Sequence, residues 1–165
     1  MSSGLYYYAL SVGSAVFIGA FTGTWFATGS AAYSDWASIA RDGGNNLGFT
    51  LVAGGDVLDG GPEFTCDCVL PGTSLQAGSF SASDVSELSC QVIVFPLDGG
   101  YEGWQLVASS FELTIGSPGP SFTLDDDDGG VEWAHPTATI SVTLAPDAFT
   151  PPLGNVGVGA TVAPR

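Results

Sequence analysis

The chain has 165 residues, enough for one domain that buries a core without metal or disulfide staples. Seventeen Asp and Glu stand against two Arg, Arg41 and Arg165, and no Lys, for a net charge of −15. That balance repels a nucleic-acid backbone and an anionic membrane surface, which argues against tight binding to either.

No charged side chain occurs from Leu5 to Ser34, a length that could span a bilayer. Glycines at 13, 19, 23 and 29 interrupt the run, no basic residue flanks it to set an orientation, and its β-branched and aromatic content suits strands. A secretory signal is disfavoured because no Lys or Arg precedes the apolar run. The expectation is two strands, LYYYALSV and AVFIGAF, turning at Gly13-Ser14, with TWFAT as a third. A membrane helix over residues 5–32 is the alternative.

Ser34 to Arg41, SDWASIAR, predicts a two-turn helix: Ser34 caps it, Asp35 suits its positive end, and Trp36, Ile39 and Ala40 share a face. LGFTLVAGG reads as a strand, and Asp59-Gly60-Gly61-Pro62 as a turn. In FTCDCVL the alternation puts Phe64, Cys66, Cys68 and Leu70 on one face, so Cys66 and Cys68 read as small core residues. PGTSLQAGSFSASDVSE is polar, with room for one helical turn.

Leu88 to Ile115 organises the chain as a bent hairpin. Leu88, Cys90, Val92 and Val94 share a face, Asp98-Gly99-Gly100 supplies the bend, and Trp104, Leu106 and Ala108 return. The apolar set then changes parity to Phe111, Leu113 and Ile115, which calls for a bulge near Ser109-Ser110. SFTL and VEWAH are strands joined by Asp125-Asp126-Asp127-Asp128-Gly129-Gly130. In the last strand Ala138, Ile140, Val142 and Leu144 alternate with hydroxyl residues. DAFTPPLGNVGVGATVAPR shows no sustained period and reads as an extended arm, ordered only against a neighbour. The expected fold is therefore all-β. It is a sandwich or barrel of about eight short strands with one short helix, over residues 1–150, followed by an extended C-terminal arm at 151–165.

Candidate sites are few. Asp125, Asp126, Asp127 and Asp128 are the obvious cation ligands, but adjacent carboxylates converge poorly on one ion and the EF-hand spacing is absent; a solvated hairpin tip is favoured. Three cysteines make no disulfide framework, and a metal set of Cys66, Cys68, Cys90 and His135 lacks the usual paired spacing. Neither a catalytic residue nor a cofactor is expected, since the chain has one His, no nucleophile elbow and no phosphate-binding loop.

The acidic, lysine-free composition resembles proteins of salt-in halophilic archaea and their viruses. Near 1 M salt the Debye length is about 3 Å, so the self-repulsion is nearly extinguished. An acidic extracellular protein from an ordinary host is the plainer reading. The order of elements resembles the tail-tube proteins of long-tailed viruses. The likeness lies in an opening hairpin like LYYYALSVGSAVFIG, in VIVFPLDGGYEGW and in a closing strand like ATISVTL, over roughly residues 5–26 and 90–144. That resemblance implies a β-sandwich with one flanking helix, rings of six subunits stacked through loops and arms, other virion proteins as partners, and location in the virion after assembly in the host cytoplasm. The Asp125–Asp128 or Asp56–Asp59 loop would line an acidic bore. Alternatives are a capsid decoration, turret or adaptor protein, a membrane-anchored virion protein using Leu5–Ala32, and a carbohydrate-binding sandwich with Tyr and Trp platforms.

Overall fold

In the computed structural model the described residues are 11–19, 23–26, 36–41, 46–54, 62–74, 76–94, 102–106, 110–119, 121–124, 131–134, 136–146 and 154–164. They hold thirteen strands and no helix, so the all-β expectation stands, with short strands added to the eight or so anticipated. The strands are β1 (Ser11–Gly19), β2 (Gly23–Phe26), β3 (Trp36–Arg41), β4 (Leu47–Gly54), β5 (Glu63–Leu70), β6 (Gly78–Ser81), β7 (Ser86–Val94), β8 (Glu102–Leu106), β9 (Glu112–Ser117), β10 (Ser121–Leu124), β11 (Val131–Ala134), β12 (Thr137–Pro146) and β13 (Val156–Pro164).

All pairings are antiparallel along the order β10-β11-β3-β4-β5-β7-β8-β12-β13-β1-β2, with β9 and β6 branching from β12. This path doubles back: β1 and β13 lie against β3 and β4, and β2 against β4. The result is a β-sandwich. One layer is β10-β11-β3-β4-β5-β7, the other is β2-β1-β13-β12-β9-β6, and β8 joins them. Phe17, Phe49, Phe64, Leu51, Ile140 and Leu144 are fully buried between the layers. Each such side chain contributes about 1.5–3 kcal/mol by leaving water.

Three expectations are overturned. First, the segment expected as a helix is β3: Ile39 faces Phe49 of β4 on one side and Ala134 of β11 on the other. A two-turn helix satisfies few of its own backbone groups, whereas a strand with partners on both edges satisfies most of them. Second, the chain runs straight through Gly13-Ser14, and the reversal lies between Gly19 and Gly23. Gly19 sits at φ +126°, and a Cβ there would collide with the Asn155 carbonyl, so only glycine fits. Residues 5–10 of the expected first strand and Ala27 and Thr28 of TWFAT lie outside the described residues, while Thr24, Trp25 and Phe26 lie in β2.

Third, the expected C-terminal arm is a central strand. β13 pairs with β12 on one edge and β1 on the other, and Val156, Val158, Ala160 and Val162 are buried. Two-sided pairing plus a buried face removes any need for a neighbouring chain to order it.

The organising hairpin forms as β7 and β8, from Gln91 opposite Gln105 to Val94 opposite Glu102. Cys90 and Val92 are buried and Leu88 is half-buried; the bend at Asp98-Gly99-Gly100 lies outside the described residues. The parity change also has a physical form. Leu106 faces Leu144 and Glu112 faces Ser141, so six steps along one chain match three along β12. An odd excess lets the apolar set move to Phe111, Leu113 and Ile115, all buried. Ser110 fills the interruption: its Oγ accepts from the Thr143 amide at 2.7 Å and donates to the Thr143 carbonyl at 3.1 Å. Within the polar stretch before β7, the anticipated helical turn is replaced by β6 and a tight turn closed by Asp84 N–H to Ser81 O at 3.0 Å.

Candidate assembly surface

Charge is unevenly spread over the two layers. β1, β2, β12 and β13, which are adjacent in the sandwich, contain no ionisable residue. Acidic residues of the other strands are Glu63 and Asp67 on β5, Glu87 on β7, Glu102 on β8, Glu112 on β9 and Glu132 on β11. On the acidic layer Asp67 is exposed and its Oδ1 accepts from Thr50 Oγ1 of β4 at 2.7 Å.

The neutral layer's outer face follows from strand alternation. Ala15 and Phe17 point inward, so Val16 and Ile18 point out, 39% and 64% exposed. Register places Val16 beside Gly159 and Ile18 beside Gly157 of β13. Beyond them stand Ser141 and Thr143 of β12. One row across the sheet is hydroxyl-bearing: Ser79, Thr114, Thr139, Thr161 and Ser14 occupy successive strands. Within it Ser79 and Thr114 share a hydrogen bond at 3.3 Å, and Thr139 and Thr161 are 3.5 Å apart.

Elsewhere the chemistry is sparse. Cys66 and Cys90 are direct cross-strand partners, Cα–Cα 4.0 Å, and form a disulfide. This corrects the expectation that the three cysteines make no disulfide, and it removes Cys66 and Cys90 from the four-residue metal set. Sequence pattern alone could not pair them, because register between β5 and β7 is a tertiary property. Cys68 is free and buried; burial, with Asp67 next to it, pushes its thiol up to about 12. His135, Asp125–Asp128 and Asp56–Asp59 lie outside the described residues. Among the described residues no group of three or more His, Cys, Asp and Glu is placed to hold a metal ion. An open cleft of about 270 Å³ lies between Leu47, Leu70 and Phe80, and no titratable side chain lines it.

The turn before β7 is tightly tied. Asp84 Oδ2 accepts from the Ser81 amide at 2.7 Å and from its hydroxyl at 2.8 Å, and these bonds hold the Asp84 carboxyl below the usual range. Three residues on, Glu87 adopts φ +51° where the β5–β7 register slips. No helix among the described residues is long and apolar enough to cross a membrane. Residues 11–19 and 23–26 are strands, so a single membrane helix over residues 5–32 does not form. No protein-family model, curated protein or solved structure matches this chain.

Proposed function

We propose that this chain is a structural protein of a virion that assembles with copies of itself, in the first place as a tail-tube subunit. The observation that carries the reading is the division of charge: four adjacent strands, β2, β1, β13 and β12, hold no ionisable residue, while the opposite layer exposes Asp67 and Glu87. Glu112 of β9 stands at the margin of the neutral strands. A neutral wall lets like-charged copies meet, while an acidic wall stays hydrated and, facing a bore, keeps DNA sliding without persistent contacts. Glu63 and Asp67 are described residues suited to that acidic wall; the Asp56–Asp59 and Asp125–Asp128 loops are candidates by sequence. The reading assigns no catalytic step and no cofactor. It places the protein in the virion, assembled in molar salt where fifteen excess negative charges are screened.

The resemblance to tail-tube proteins is weaker than its sequence form, because the flanking helix it implies is replaced by β3. A second reading, a capsid decoration or adaptor protein, gains from the uncharged outer face of β1, β13 and β12, which suits docking on a shell or pairing of subunits. Electron microscopy of the concentrated protein in molar salt separates the two. Hollow tubes of stacked rings support the tube, and discrete small oligomers that attach to capsids support the decoration. A protein that stays monomeric at every concentration ends both.

A further inference from the structure

We infer that the outer face of β1, β13 and β12 binds the same face of a second copy of this chain, an inference that rests on the self-assembly reading. Val16 and Ile18 form an apolar ridge on β1. Immediately beside it, Gly157 and Gly159 leave β13 without side chains, and Ser141 and Thr143 of β12 form the far wall of the trough.

The glycines have no internal reason to be there. A Cβ at Gly159 would meet nothing within 4 Å, and one at Gly157 would make only ordinary contact with the Ile18 carbonyl at 3.7 Å. Neither takes a positive φ. Glycine inside a strand weakens it and marks places where another chain approaches closely. The trough is therefore shaped for something outside this fold.

Its occupant is a second copy. A ridge beside a trough is self-complementary: a two-fold rotation seats each ridge in the other's trough, the isologous arrangement. Charge selects the same partner. Two chains each carrying −15 repel wherever carboxylates face each other; β1, β13 and β12 carry none, and Glu112 of β9, opposite Ser141, lies at the margin of the face. Such a pair closes on itself, so any larger assembly must also use another surface.

Sedimentation equilibrium in about 1 M salt, where repulsion is screened, tests the face. Gly159→Thr fills the trough and Ile18→Glu charges the ridge; Gln91→Glu adds the same charge to an exposed position on the other layer. The expected result is association weakened at least tenfold by Gly159→Thr and Ile18→Glu and unchanged by Gln91→Glu, with the melting temperature of Gly159→Thr no lower than that of the parent. If the parent assembles and the first two variants assemble equally well, this face is overturned and the structural reading stands. A parent that never associates overturns both.

Discussion

The two layers of the sandwich solve one problem with different materials. The β3-β4-β5-β7 layer presses large side chains inward, Phe49, Phe64 and Leu51, and ties β5 to β7 with the Cys66–Cys90 disulfide. The β1-β13-β12 layer presses Phe17, Ile140 and Leu144 inward as well, but its central strand β13 buries only smaller groups, Val156, Val158, Ala160 and Val162, and is held by nine register pairs with β1 and seven with β12. A crosslink braces the acidic layer; the middle of the other is a strand of small residues held by pairing on both edges. With glycine at 157 and 159 the outer face of β13 is low and uncharged, as an assembling surface requires.

Removing a large inward ring probes that contrast most strongly. Phe49→Ala on the acidic layer and Phe17→Ala on the neutral layer should each cost about 3–5 kcal/mol in urea unfolding. The loss at Phe17 should fall toward the lower end, because small neighbours on β13 can close over the space. Equal losses at the top of the range would mean that both layers are packed with the same rigidity.

The crosslink comes next. The bridged residues lie 24 apart in sequence, and replacing both cysteines by Ser should cost about 3 kcal/mol by freeing that loop in the unfolded chain. Amide exchange should rise along β5 and β7 and change little along β12 and β13. Uniform acceleration through both layers would show that the sandwich opens as one unit, with no separately braced half.

Cys68 gives a pH readout of the same layer. Its thiol is about 12 in the folded chain against 9.0 for the free group. The unfolded state therefore releases its proton first, so the stabilisation is complete below pH 9.0 and is lost as pH rises toward about 12. Cys68→Ala should flatten that alkaline decline, measured by urea midpoints from pH 8 to 11 on the order of one unit apart. A decline identical in the variant would assign it to other groups.

What the sequence disclosed follows from how local each signal is. The alternation of Ala138, Ile140, Val142 and Leu144 announces β12 because large apolar and hydroxyl residues contrast at every step. The same period exists in β13, Val156, Val158, Ala160 and Val162 against Gly157, Gly159, Thr161 and Ala163, but its outward set is small and weakly polar, so the contrast is faint. At Trp36–Arg41 a six-residue window cannot separate a helical face from a strand; only the edges of β4 and β11 decide. The Cys66–Cys90 pairing depends on register across β5 and β7, and the charge-free face depends on β1, β13 and β12 becoming neighbours although β1 and β13 stand at opposite ends of the described chain. No local pattern encodes either.

The smallest expected effect compares two cross-strand hydroxyl contacts. Thr50 donates to the Asp67 carboxylate at 2.7 Å, whereas Thr139 and Thr161 stand 3.5 Å apart with no charge involved. Hydrogen bonds to an ionised acceptor are roughly twice as strong as neutral ones, and an exposed cross-strand pair contributes about 0.2–1 kcal/mol. Thr50→Val should therefore cost about 0.5 kcal/mol, and Thr139→Val should be close to neutral because valine's strand preference offsets a long hydroxyl contact. Urea unfolding at a dilution where the chain is monomeric keeps association out of the measurement. A larger loss at Thr139 than at Thr50 would mean that the hydroxyl row across the neutral layer holds that sheet together, and the face would then be a structural seam before it is a docking surface.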